Sequence, residues 1–153
     1  TLVTAVAVYL QILLGALMRH TGAGLAIPDF PLAFGRLVPP DFSGGVMIHF
    51  AHRVGALAVA IFVGWTLIRA LSDHRRHPEL WTPVVLLAAL VCLQVGLGAW
   101  TVWSAKSAVP TSIHVVAGAA LWGTSVHLAL RARRHLSAAR QPLATHSWVR
   151  VPA

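Results

Sequence analysis

Residues 46–68 read VMIHFAHRVGALAVAIFVGWTLI. The run is long enough for a helical membrane span, which needs ~20 apolar residues. Its one residue among Asp, Glu, Lys and Arg is Arg53, near one end. Lipid offers no partner to an unpaired backbone N–H or C=O, so such a run must be helical. Three more stretches, 2–18, about 81–103 and about 111–130, have the same character. Over the whole chain 57% of residues are hydrophobic and 10% charged, with mean hydropathy +0.72. A soluble domain carries about 25% charged residues. The expected class is all-α: a polytopic membrane protein forming a four-transmembrane-helix bundle.

The joints between spans are polar. A long loop, 20–45, carries Pro28, Pro31, Pro39, Pro40 and several glycines; a charged turn occupies 72–79; a short one occupies 104–107. The expected domain is 1–134, followed by a polar, basic tail, 135–153, with too few apolar residues to pack. The formal charge is +8, from twelve Lys and Arg against four Asp and Glu. In a membrane protein this excess reports topology rather than nucleic-acid binding. Arg69, Arg75 and Arg76 follow the second span, and Arg131, Arg133, Arg134 and Arg140 follow the fourth. Both sets belong on the cytoplasmic side of a bacterial inner membrane, which puts the 20–45 loop outside. Arg19, Arg36, Arg53 and Lys106 on that outer side are partly offset by Asp29 and Asp41. Thr1 leads straight into an apolar run, which reads as a retained span of a chain that continues upstream. Cys92 stands alone, so an internal disulfide and a multi-cysteine metal site are both excluded.

Two histidines carry the chemistry. His52 and His114 each sit a few residues inside the same end of a different span. At ~1.5 Å per residue both lie roughly 5–10 Å below the outer surface. Ionisable groups at that depth are costly and mark a site. Imidazoles from two helices at matched depth are what a heme iron with two axial ligands requires. A short duplication accompanies them: LQILLGA at 10–16 matches LQVGLGA at 93–99, each preceding a histidine-bearing helix. Duplication of this kind builds pseudo-twofold bundles with a site at the repeat interface.

The other polar residues have paired readings. Gln11 and Gln94 either orient a ligand histidine or join helices by hydrogen bonds. Arg53 and Arg19 either fork onto the heme propionates or snorkel to headgroups. His49, one turn before His52, competes with it as ligand or serves beside it. His127 follows His114 at the spacing used where cytochrome b helices ligate two stacked hemes, but residues 64–66 offer it no histidine partner, so one heme is expected. The tryptophans and Tyr9 read as an interfacial belt.

The stretch QILLGALMRHTGAGLAIPDFPL (11–32), with IHFAHR (48–53) and TSIH (111–114), resembles heme A synthase, the enzyme that converts heme O to heme A for terminal oxidases. The resemblance runs to about Arg134. It implies an eight-helix protein of two similar four-helix halves, with axial ligands that map onto His52 and His114. In the family's N-terminal half a glutamate stands four positions before the first histidine; here that position is Ile48. The resemblance therefore implies the C-terminal half, holding one bis-histidine heme b, with heme O as substrate of the full enzyme. A cysteine pair found in many members falls at Ile27 and Ala33. Implied partners are membrane lipid, an N-terminal catalytic half or a second copy, heme O synthase and an electron donor. Two other classes remain open on the residues: a small b-type cytochrome that only carries electrons, and a heme-free transporter or assembly subunit.

Overall fold

The computed structural model describes residues 1–73 and 78–139. It contains α1 (Leu2–His20), α2 (Gly44–Asp73), α3 (Trp81–Trp103) and α4 (Ala108–Ala139), with short 3₁₀ turns at Ala23–Leu25 and Pro78–Leu80. All four helices are long and apolar enough to cross a membrane. Among the described residues there is no strand, only an isolated bridge between Ala33 and Arg36. The chain is an all-α integral membrane protein. Arg75, Arg76, Arg140, His74, His77, His146 and the tail beyond 139 lie outside the described residues.

The helices outrun the apolar stretches that announce them. The fourth span begins at Ala108, before Thr111, because Pro110 is accommodated in the first turn, where no intrahelical N–H is needed. Pro83 sits likewise in the first turn of α3. Helix α1 stops at Thr21-Gly22: the Thr21 hydroxyl donates to the Leu17 carbonyl (2.9 Å), and Gly22 takes φ +71°, a conformation glycine adopts without strain. The α3–α4 turn closes by the Lys106 N–H donating to the Thr101 carbonyl (2.9 Å), with Ala105 and Lys106 both left-handed.

The helices form a square. Helix α1 packs on α2 and α4, and α3 packs on the same two, so α2 and α4 stand at opposite corners. The contiguous apolar core is Val8, Val59, Val63, Val84, Leu87, Val91, Leu121 and Leu128. These residues come from the early turns of α1 and α3 and the later turns of α2 and α4. The core therefore fills the half of the bundle away from the 21–43 loop. There the Thr4 and Thr66 hydroxyls pair at 3.3 Å, and Ser125 donates to the Trp122 carbonyl. The loop half is built differently.

The loop itself is a packed cap. Ile27 is fully buried, and Ala23, Ala33 and Pro39 are buried with it. Phe30 meets Trp103 edge-on at 6.2 Å between centroids, and Phe42 meets Phe50 at 5.8 Å. Lys106 lies against Gly24, whose missing side chain makes the room. Ala33 and Arg36 exchange backbone hydrogen bonds across Phe34 and Gly35, both at positive φ. The Asp29 carboxylate accepts from both Phe34 N–H and Gly35 N–H at 2.8 Å each. Ile27 and Ala33 are two apolar anchors of this cap.

Candidate functional site

In the loop half the bundle interior is lined by histidine, glutamine and glycine. His52 reaches it from α2 and His114 from α4, the two diagonal corners, and each ring lies within electrostatic reach of the other. Both side chains are half-buried.

Each ring rests against the neighbouring scaffold helix at a glycine. A Cβ added at Gly15 of α1 would stand 3.0 Å from His52 Cε1; one added at Gly98 of α3 would stand 3.5 Å from His114 Cε1. One turn before each glycine is a glutamine. Gln11 Nε2 donates to the His52 carbonyl oxygen (2.8 Å) and lies 3.0 Å from Nδ1 and 3.4 Å from Nε2 of the same ring. Gln94 Nε2 donates to the His114 carbonyl oxygen (2.9 Å). Each amide is accommodated by a glycine past the histidine: a Cβ at Gly55 would run into Gln11 Oε1, and one at Gly118 would lie 3.4 Å from Gln94 Nε2. The duplication in sequence is thus a duplication in space. Gln11 and Gln94 do join helices by hydrogen bonds, and the bonds end on the two histidines.

One polar atom in this region has no counterpart. His114 Nδ1 is the buried side-chain nitrogen or oxygen without a hydrogen-bond partner among the described residues. Burying such a group unpaired is costly, and in a native structure it calls for a reason.

His49 is placed elsewhere. It is buried, 3% exposed, and its Nδ1 accepts the Ile27 N–H at 3.2 Å. That bond fixes the cap rather than the space between α2 and α4. Arg53 also turns into the cap: Nη1 donates to the Leu32 carbonyl (2.7 Å), and Nη2 to those of Asp29 (2.6 Å) and Ile27 (3.2 Å). Its guanidinium lies 5.6 Å from the Phe30 ring centroid. Arg19 is exposed at the loop end of α1, and His127 is exposed on α4 toward the opposite end. The structure therefore brings together His52, His114, Gln11 and Gln94, and sets His49 and Arg53 into the loop above them. Four glycines, Gly15, Gly55, Gly98 and Gly118, belong to the site and were not singled out from sequence; the signal was present for Gly15 and Gly98 inside the repeated heptapeptide. Among the described residues no three His, Cys, Asp or Glu side chains gather as a lone metal ion would require. Two facing imidazoles suit a cofactor that brings its own equatorial ligands.

Outside the membrane segments the clearest electrostatic feature is Asp29. The Gly35 N–H, and next the Phe34 N–H, hold its carboxyl below the usual 3.8.

Residues 1–126 match the sequence family described as cytochrome oxidase assembly protein (COX15-CtaA). Among curated proteins the chain is 36% identical over 138 residues to a heme A synthase of Caulobacter sp. (strain K31), covering 84% of this chain and 40% of that protein. It is 33% identical over 130 residues to the heme A synthase of Geobacillus kaustophilus, covering 82% and 40%. It is 39% identical over 99 residues to that of Symbiobacterium thermophilum, covering 62% and 30%. The chain spans about two fifths of the length of the first two relatives.

Proposed function

This chain belongs to the cytochrome oxidase assembly protein family, and we propose that it is the cofactor half of a heme A synthase, holding one b-type heme between His52 and His114. The observation that carries the reading is the pair of imidazoles that α2 and α4 bring from diagonal corners within electrostatic reach of one another. The apolar core stops short of this region, each ring is backed by a glycine, and His114 Nδ1 is buried without a partner. These features fit a planar macrocycle with two axial nitrogens. Bound there, the iron would supply one-electron transfer, since both axial positions are filled by protein.

The chain's own residues do the rest. His52 and His114 would hold the group between α2 and α4. Gln11 and Gln94 tie each histidine's backbone to the adjacent helix. Ile27, His49 and Arg53 hold the cap over the loop end, which keeps water from the site. Arg19 stands exposed at that end, in reach of an anionic edge presented there. Residues 46–68 contain no Asp or Glu, and Ile48 occupies the position of the family's acid. The oxidation of a heme O methyl to a formyl group is therefore assigned to the full protein, with an N-terminal catalytic half supplying that acid and an external donor supplying electrons. The arginine-bearing ends of α2 and α4, at Arg69 and Arg131 to Arg134, face the cytoplasm, and the cap faces outward.

Purification of this chain with heme tests the assignment. One low-spin heme per chain is expected, lost or converted to a high-spin form in His52→Ala and in His114→Ala, with no heme A formed from heme O. A folded wild-type chain that takes up no heme, or histidine variants with an unaltered absorption spectrum, would overturn it.

A further inference from the structure

The two axial histidines are seated by the same three-residue device, but the two seats differ in how much of the ring they hold. On α1, Gln11 grips both the backbone of His52 and the edge of its imidazole, at 3.0 and 3.4 Å from the two ring nitrogens. On α3, Gln94 grips only the backbone of His114, whose Nδ1 is left without a partner. The glycine seats differ in the same sense. A Cβ at Gly15 would stand 3.0 Å from His52 Cε1, tighter than ordinary contact, whereas one at Gly98 would stand at an ordinary 3.5 Å from His114 Cε1. The third position repeats the pattern: a Cβ at Gly55 collides with the Gln11 amide, and one at Gly118 would only touch Gln94 at 3.4 Å.

We propose that Gln11, Gly15 and Gly55 form a stiff seat that sets the imidazole plane of His52, while Gln94, Gly98 and Gly118 form a loose one that anchors the backbone of His114 and leaves its ring to be set by the cofactor. The proposal rests on the heme reading above and adds positioning residues to it. An outer partner of a ligating histidine governs ring orientation and ligand basicity. Gln11 is placed to fix orientation; its amide N–H donates, so it cannot accept the ring N–H as a basicity-raising partner does. A hydrogen bond to a backbone carbonyl holds a helix but leaves χ2 of the ring free. The asymmetry also assigns the ligands different duties: His52 is held in place before the cofactor arrives, and His114 adjusts to it. The Gln11 amide nitrogen faces both the His52 ring and its carbonyl, whereas Gln94 meets only the His114 carbonyl and Nδ1 of that ring has no partner among the described residues.

The test compares matched variants of the heme-loaded chain. Gln11→Leu, Gly15→Ala and Gly55→Ala are set against Gln94→Leu, Gly98→Ala and Gly118→Ala. Heme affinity, the low-spin EPR g values and the reduction potential are read on each. Gln11→Leu loses both the bond to the His52 carbonyl and the contact that fixes the ring, and is expected to weaken binding roughly tenfold or more. Gln94→Leu, which loses one bond to a backbone carbonyl, is expected to weaken it by less than about tenfold. The α1-side variants are expected to move the g values, which report the imidazole planes, more than the α3-side variants do.

Gln11→Glu keeps the shape of the side chain and guards against a folding failure in Gln11→Leu. A carboxylate beside the His52 ring raises the basicity of that ligand and is expected to shift the potential negative, with a smaller shift for Gln94→Glu. A purely structural role for Gln11 would lower affinity without moving either g values or potential. Wild-type signals retained in Gln11→Glu and Gly15→Ala, or equal displacement by the α3-side set, would overturn the proposal while the heme reading stood. A wild-type chain with no low-spin signal would remove both.

Discussion

His49 and His52 are one helical turn apart, yet they serve different parts of the molecule. The His49 ring is buried and accepts the Ile27 N–H, while the His52 ring lies against Gln11 and Gly15. His49→Ala is therefore expected to leave heme binding and the low-spin spectrum in place while loosening the cap, seen as faster protease cleavage within residues 21–43. Loss of the low-spin signal in that variant would return His49 to the ligand set. Arg53 belongs with His49. Its three carbonyl bonds are charge-assisted, and such bonds contribute roughly 1.5–3 kcal/mol each, not additively. Arg53→Ala is expected to destabilise the protein by about 2–4 kcal/mol, read from detergent-solubilised thermal unfolding. Arg53→Lys should recover only part of this, because an ammonium cannot present the guanidinium fork.

Asp29 gives the cap a pH dependence. Its carboxyl titrates below 3.8 in the folded protein because the ionised form accepts the Gly35 and Phe34 N–H groups. A depressed carboxylate stabilises the fold at any pH above its unfolded value and stops doing so as pH falls through its folded value. Protection of the Phe34 and Gly35 amides, measured against their intrinsic exchange, should thus hold at neutral pH and be lost in acid as pH falls through the folded value of the carboxyl. Asp29→Asn, which keeps one acceptor oxygen, should exchange faster throughout and without that step.

At the scale of the elements, the spans were legible because a membrane helix is written in composition. An apolar run of sufficient length has one stable form in lipid. The diagonal placement of α2 and α4 was legible only as a consequence of the repeat at 10–16 and 93–99. The cap was not legible. Its fold depends on Arg53 meeting carbonyls of residues 27, 29 and 32, on Asp29 bridging Phe34 and Gly35, and on Phe30 meeting Trp103. Each is a contact between residues whose types carry no periodicity. For the same reason the sequence favours Arg53 as a propionate partner, and it carries no signal for Gly55 and Gly118, which only their place beside the glutamine amides marks. The core half makes a simpler prediction. Leu87 is fully buried in α3. Leu87→Ala should cost toward the lower end of the roughly 2–5 kcal/mol found for such truncations, since packing is lost but little surface changes from lipid to water. The effect should appear in thermal unfolding with the heme spectrum unaltered, because the cavity opens on the far side of the bundle from His52 and His114.

The whole molecule divides into a packed half and a holding half. One end of the square is closed by Val, Leu and a pair of threonine hydroxyls; the other carries His52 and His114 beneath the cap. That division suits the proposed task of holding a cofactor between α2 and α4. Co-expression with an N-terminal four-helix half carrying the family's acid should restore conversion of heme O to heme A, and His52→Ala or His114→Ala in this chain should abolish it. The most direct measurement is the low-temperature EPR spectrum of the oxidised, heme-loaded wild-type chain beside His114→Ala. Two facing imidazoles predict a low-spin ferric signal with bis-nitrogen ligation in the first and its replacement by a five-coordinate high-spin signal in the second. A high-spin signal in the wild type, or a low-spin signal that survives the loss of His114, would contradict the shared-iron geometry on which the account stands.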